Sequence, residues 1–340
     1  MGYSISILNN IRDNASTAYQ ERIPQATRDN ISQIGNALQN YELLFSEFAS
    51  ALINKIGKTL IESKLFKNKL ARFKQGSVLT QQDVEDIFID MAKGASKYDP
   101  EGTNPLGRRK DDNVKVVYHR MNRQDYYDFS IGDIDFIRNF RSEATLDAFL
   151  MGKINSVYSR AAHDEWLHMK NLLATYPDKD GVEGNGYFVY EVPEITEENA
   201  QQTSKKFVKT LRKANLDMGF ASTQYNAMGV MQWNENPDEL VLLVNKDVLS
   251  EVDVEVLAKA FNMGKTDIEN QIIPMDDFGT LEDTYALLVD KDIFKVFDTL
   301  STMRRQENAQ GLFTNYFYHV HQILSMSPFK NAVRFKKVKA

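Results

Sequence analysis

Apolar residues recur three and four apart from Ser142 to Tyr176. Leu146, Leu150, Ile154, Val157 and Ala161 form the centre of the stripe, and Phe149, Tyr158, Ala162, Trp166, Met169 and Leu173 widen it. That period is the signature of an amphipathic helix. Ser142 supplies an N-cap, Glu143 and Asp147 favour the positive end of the dipole, and Pro177 ends the run. At 1.5 Å rise per residue the helix spans roughly 50 Å, well beyond the usual 11–12 residues or so. An elongated subunit built along a rod is the expectation.

The rest of the chain is patterned around it. Ile31, Ile34, Leu38, Tyr41, Phe45, Phe48, Leu52, Ile56 and Leu60 predict a second long helix, broken near Gly57. Residues 1–29 are polar and weakly patterned, which predicts an arm rather than a core element. The basic stretch 65–79 is expected to be extended, and 81–95 reads as a short helix with Val84, Ile87 and Met91 inward. Residues 99–113 form a loop rich in Pro, Gly and charge. From Val114 to Ile131 apolar and polar residues alternate, and Asn122-Arg123 marks a turn, so a long β-hairpin is expected. Its basic faces bury poorly, so it needs a partner surface. Tyr187–Val192 reads as a strand. Thr196 is placed to cap a helix running to Leu216, with Ala200, Phe207, Val208, Leu211 and Ala214 on one face. Leu242–Asp247 and Leu287–Asp292 echo one another, each an apolar strand ending in an aspartate that can cap a following helix. Leu312–Leu324 is strand-like and aromatic, and 325–335 is a last extended segment. The fold class is therefore α+β.

Composition narrows the classes. The 340 residues, 42% apolar and 26% charged, are those of a globular protein. No run approaches 18 apolar residues, so no membrane span or membrane partner is expected. Met1–Arg12 lacks a secretory pattern, so export is not expected. The absence of cysteine removes disulfides, thiolate zinc sites and cysteine nucleophiles. Net charge is −6, which argues against a nucleic-acid binder as a whole. Yet Arg108, Arg109, Lys110, Lys115, Arg120 and Arg123 cluster against Asp111 and Asp112. A tail free of acids after Glu307 carries Lys330, Arg334, Lys336, Lys337 and Lys339. Arg108, Arg109, Lys110, Arg120 and Arg123 are the candidate inter-subunit contacts, with Glu194, Glu197 and Glu198 as acidic counterparts.

Catalytic, cofactor and metal residues do not emerge. His163 and His168 are five apart, about 140° around a helix, where a zinc helix needs a spacing of four. His319 and His321 share a strand face without a third ligand. Gly132-Asp-Ile-Asp135 matches a nucleotide-sugar motif only in letters, and 178–186 fails the calcium-loop spacing. The chain reads as a non-enzyme without cofactors.

Several separated blocks then carry a resemblance. Asp253-Val-Glu-Val-Leu-Ala-Lys-Ala-Phe-Asn-Met263 precedes Leu287-Leu-Val-Asp-Lys-Asp-Ile-Phe-Lys-Val-Phe-Asp298. Gly311-Leu-Phe-Thr-Asn-Tyr-Phe-Tyr-His-Val-His-Gln-Ile-Leu-Ser325 and Ser327-Pro-Phe-Lys-Asn-Ala-Val-Arg-Phe335 follow. With Val114–Asp125 and Glu165-Trp-Leu-His-Met-Lys170 upstream, the chain resembles the major capsid proteins of small short-tailed bacteriophages of the phi-29 type, over roughly 70–335. The resemblance implies the tailed-phage major capsid fold (HK-97 type), laid out as an N-terminal arm and helix (1–65) and an extended-loop region (66–141, hairpin about 99–131). A peripheral domain (142–193) would hold the spine helix 142–176. An axial domain (194–300) and C-terminal strands returning to the peripheral domain (301–340) would complete it. It implies a self-assembling phage-head subunit made in the host cytoplasm and housed in the virion. Its partners would be further copies in hexamers and pentamers, a scaffolding protein, a portal or connector, and double-stranded DNA held non-specifically on the inner face. A cellular nanocompartment shell of the same fold is the alternative. Larger relatives continue into an immunoglobulin-like domain, whereas this sequence ends at Ala340, so no decorating role of that domain carries over.

Overall fold

The computed structural model describes residues 3–40, 44, 48, 51, 66–79, 82–91, 97–98, 100–101, 114–132, 143–176, 186–195, 199–251 and 271–338. The chain divides into two compact units. The first comprises 1–68, 123–166 and 298–322, the second 69–122, 167–297 and 323–340.

The first unit opens with α1 (Tyr3–Asp13), α2 (Thr17–Arg22) and α3 (Ile31–Asn40). The expected N-terminal arm is instead a helical core. Ile5, Ile7, Leu8, Ile11, Tyr19 and Ile23 pack with Ile31, Ile34 and Leu38 in one buried cluster. The polar residues that made 1–29 look solvent-facing are its fasteners. Asn9 accepts from the Ala26 amide at 2.6 Å and donates to the Ala26 carbonyl at 3.1 Å. Arg12 donates to the carbonyls of Ile23 (2.8 Å) and Gln20 (3.1 Å). Ser16 caps α2 through the Tyr19 amide. Only the first part of the second long helix lies in the described range, as α3 with helical residues at 44, 48 and 51.

The long helix is present as α4 (Glu143–Ala174), 32 residues and about 48 Å at the standard rise. Val157, Ala161, Trp166, Met169 and Leu173 are buried, as the stripe predicts. The side chains of 143–151 and of Ile154 lie outside the described residues, as do Ser142 and Pro177. At its C-terminus, where four carbonyls lack helical partners, the Tyr187 hydroxyl donates to Leu173 O at 2.8 Å. The hydroxyls of Tyr176 and Tyr187 are pushed to higher pKa by burial, so both remain protonated donors.

Strands β1 (Lys74–Ser77), β2 (Val84–Ile89), β3 (Val114–His119), β4 (Arg123–Gly132), β5 (Phe188–Pro193), β6 (Leu240–Asn245), β7 (Ile272–Met275), β8 (Thr284–Asp290), β9 (Phe294–Asn308), β10 (Phe313–Met326) and β11 (Ala332–Val338) make three sheets. Their orders are β1-β9-β10-β4, β5-β11-β8-β6-β7 and β2-β3. Two expectations fall here. Within the 81–95 segment Val84–Ile89 is a strand, not a helix, and the 114–131 segment is not one hairpin. β3 pairs with β2 and β4 pairs with β10, both antiparallel. Val84 and Ile87 are three apart, which suits a helix face, but the same stretch also alternates, and its β-branched and aromatic residues suit a pleated surface. The distant partner strand decides.

In the second unit the five-stranded sheet is the core. β6 and β8 are continuous buried apolar runs, as strands covered on both faces must be. Helix α5 (Ala200–Met218) lays Phe207, Leu211, Ala214 and Met218 on this core. The helix and its buried face fall where they are expected, but it starts at Ala200 with Asn199 at the N-cap position, so Thr196 is not its cap. The echo between the two strands is only half structural. β6 runs into α6 (Lys246–Glu251), but β8 ends in a turn where Asp290 accepts from the Asp292 amide at 2.8 Å, and the chain continues as β9. Asp290 is held there by Asn234 at 2.9 Å and Lys330 at 3.6 Å. The segment 301–340 also divides. β10 borders β4, whereas β11 lies between β5 and β8, parallel to the first and antiparallel to the second.

Candidate functional site

Among the described residues, one feature with no internal use is the outer face of the β2–β3 ribbon. The register sets Glu85 against Tyr118, Ile87 against Val116, and Ile89 against Val114. Side chains alternate across a strand, so these six residues share one face. Its five apolar members are between 41% and 65% exposed. Met91, also exposed, extends the row. Single exposed apolar residues are ordinary, but a row of neighbours on a two-stranded ribbon is a surface awaiting a partner.

The opposite face anchors the ribbon. Phe88 stacks on Phe329 with ring centroids 5.6 Å apart. Lys115 donates to the Met228 carbonyl at 2.8 Å. The buried His119 ring meets Ser325 Oγ at 2.7 Å through Nδ1 and Asp86 at 3.5 Å through Nε2. Ser327 donates its hydroxyl to the same Asp86 carboxylate. Burial pushes the Asp86 pKa up, but the adjacent His119 ring, the hydrogen bond from Ser327 and the charge of Lys295 outweigh it and hold the carboxyl below its ordinary value. A carboxylate depressed in the fold adds stability above its unfolded pKa, and that stability is lost as pH falls through the folded value. Asp86→Asn should therefore destabilise the subunit at pH 7. The difference from wild type should narrow below about pH 4, as measured by urea titrations across that range. A difference that stays constant down to pH 3 would remove the carboxylate's role.

The predicted contact residues scatter. Arg108, Arg109 and Lys110 lie outside the described residues. Arg120 is exposed and pairs with Asp83 at 3.0 Å. Arg123 does not belong at a surface: it is 3% exposed. Its guanidinium donates to Asp125 (2.7 Å), Gln322 Oε1 (2.6 Å), the Tyr127 hydroxyl (2.8 Å) and the Ala161 carbonyl (3.4 Å). Gln322 passes the network on to Glu165 and Asp298, both at 2.6 Å. Of the acidic counterparts, Glu194 is bound within the chain to Lys337 at 2.6 Å, and Glu197 and Glu198 lie outside the described residues. The aliphatic face was missed because its two strands, Val84–Ile89 and Val114–His119, lie far apart in the sequence and each pattern is short. Two alternating segments, Glu85-Asp-Ile-Phe-Ile89 and Val114-Lys-Val-Val-Tyr118, were its available signal.

Among the described residues no group of three His, Asp or Glu could hold a metal ion, and no helix is long and apolar enough to cross a membrane.

Comparison with known proteins places this architecture. A family model described as Phi29-like phage major capsid protein matches residues 8–336. The major capsid protein of Bacillus phage PZA is 34% identical over 337 residues, covering 98% of this chain and 72% of the relative. That of Bacillus phage B103 is 33% identical over 335 residues, with the same coverage. A chain from the capsid structure of Staphylococcus phage Andhra superposes with a TM-score of 0.62 at 12% identity, over 82% of this chain and 87% of that one. This last likeness shows the tailed-phage capsid fold of HK-97 type. The family match favours the phage head over the nanocompartment shell. The chain belongs to the Phi29-like phage major capsid protein family, a self-assembling structural shell subunit of the virion and not an enzyme.

Proposed function

We propose that the β2–β3 ribbon is the element through which one subunit grips the next in the shell, and that its outer apolar face is the contact. The observation that carries this is the paired row Ile87–Val116 and Ile89–Val114, solvent-facing in the subunit while the reverse face is bolted down by His119, Asp86 and Phe88. Fully burying each such side chain contributes about 1.5–3 kcal/mol, and a shell repeats the contact in every subunit. Docking by the basic cluster of 108–110 would add register through guanidinium–carboxylate geometry. The shell encloses double-stranded DNA, assembles on a scaffolding protein around a portal, and is built in the host cytoplasm. α4 serves as the spine of a peripheral domain, and the five-stranded sheet with α5 forms the axial domain.

The absence of cysteine makes a direct test available. A single Val116→Cys thiol should react readily with a small alkylating reagent in the free subunit and at least tenfold more slowly in the closed shell. Equal rates in both would show that the face stays in water and would remove it from the interface.

A further inference from the structure

A second surface carries charge rather than apolar area. On α5, Lys205, Lys206, Lys209, Arg212 and Lys213 are all exposed. At about 100° per residue these five fall within an arc of roughly 120°. That arc is opposite the side that buries Phe207, Leu211, Ala214 and Met218. The one acidic residue of the helix, Asp217, lies just beyond this arc and accepts from the Tyr190 hydroxyl at 2.8 Å. Among the described residues none of the five pairs with a carboxylate, and Lys213 has only the Tyr190 ring, its ammonium 6.0 Å from the centroid. In a chain of net charge −6, five cations on one helix face are segregated, not neutralised.

We propose that this stripe is a binding surface for the phosphate backbone of double-stranded DNA, an inference that rests on the reading of the shell as a DNA container. The character of the arc selects the ligand. It holds five cations, the amide of Gln202 and a single exposed apolar residue, Leu216, at its C-terminal end, whereas protein–protein contacts are built around a desolvated apolar or aromatic core. Nucleic-acid surfaces are polar and positive, and they need only charges spaced along a line. The stripe runs about 12 Å from Lys205 to Lys213, and each DNA strand presents a phosphate about every 3.4 Å of helix axis. Several phosphates thus lie within reach of one helix, without any reading of base sequence.

The test is fluorescence anisotropy of a mixed-sequence 30-base-pair duplex with the full-length subunit. Wild type is compared with Lys205→Gln/Lys209→Gln/Arg212→Gln, a variant that leaves the Tyr190 contact of Lys213 intact. Circular dichroism melting confirms that both are folded. The expected result is binding that weakens by about tenfold or more in the variant. The slope of log affinity against log salt should become shallower by about 0.9 for each lost phosphate contact. Equal affinity and slope in the two proteins would overturn the proposal. Polyglutamate displacing the duplex at equal charge concentration would also overturn it, reassigning the stripe to an acidic protein partner. Nuclease-protected DNA in complete heads tests the underlying reading separately. Heads with DNA but an unaltered variant would sink the stripe alone. Heads without DNA would sink the container reading and with it the role proposed here.

Discussion

A subunit carrying Ile87→Asp and Val116→Asp is expected to keep its fold and to lose shell closure. The two positions face each other across the β2–β3 ladder and are 54% and 41% exposed in the subunit. There the carboxylates remain in water, and the cost is the modest repulsion of like charges directly opposite one another. In a shell contact the same carboxylates would lose their hydration, at several kcal/mol per ion even after relaxation. That exceeds what two aliphatic side chains contribute there, so the sign of the contact reverses. The expected readout is an unchanged melting profile with no closed shells by electron microscopy at concentrations a hundredfold above the wild-type threshold. Ile87→Thr with Val116→Thr, uncharged and still β-branched, should give an intermediate threshold. Added salt should not rescue the Asp pair, because screening acts weakly on buried charge. A defect of Arg108→Glu with Arg109→Glu, by contrast, should shrink with salt. Shells from the Asp pair at the wild-type threshold would place the interface elsewhere.

Arg123→Leu is expected to act on the opposite property, the stability of the subunit itself. Leucine fills part of the space but leaves Gln322 Oε1 in the interior without the donor it now has, while the Ala161 carbonyl keeps its partner within the helix. A buried acceptor so stranded costs about 1–3 kcal/mol. Gln322 is also what bridges Glu165 and Asp298, so its displacement loosens two carboxylates as well. Against a typical total of about 5–15 kcal/mol, most of the soluble yield should be lost. The burial of the guanidinium works against its charge, but its bonds to Asp125 and Tyr127 more than compensate, and its pKa is raised. Arg123→Lys should recover part of the stability: a point charge reaches one acceptor but not the fork of four. Urea titration of all three proteins measures this, and an Arg123→Leu midpoint equal to wild type would show the network to be dispensable.

Much of the fold is legible locally. The period of α4 appears in its own residues because a helix closes its hydrogen bonds within the segment, and its buried face follows from spacing alone. β6 and β8 are readable for a related reason: Leu240–Val244 and Tyr285–Val289 are apolar throughout, and only a strand covered on both faces needs that. α5 announced itself by its apolar face, and the family showed through separated blocks whose order is a property of the sequence.

What tertiary structure alone decided concerns pairing over distance. The segment from Ile5 to Ala26 became core because Asn9 and Arg12 satisfy backbone groups of 20–26, which makes polar residues fasteners of an apolar cluster. β3 and β4 adjoin in sequence yet pair with different strands, since a strand's hydrogen-bonding edge is completed by whatever the fold brings alongside. Arg123 is the plainest case. Its charge and its neighbours Arg120 and Asp125 read as surface, and it is buried because Gln322, 199 residues away, supplies an acceptor there. A side chain's identity settles which bonds it is able to make. Whether those bonds are made inside the subunit or between subunits depends on partners that no local pattern records.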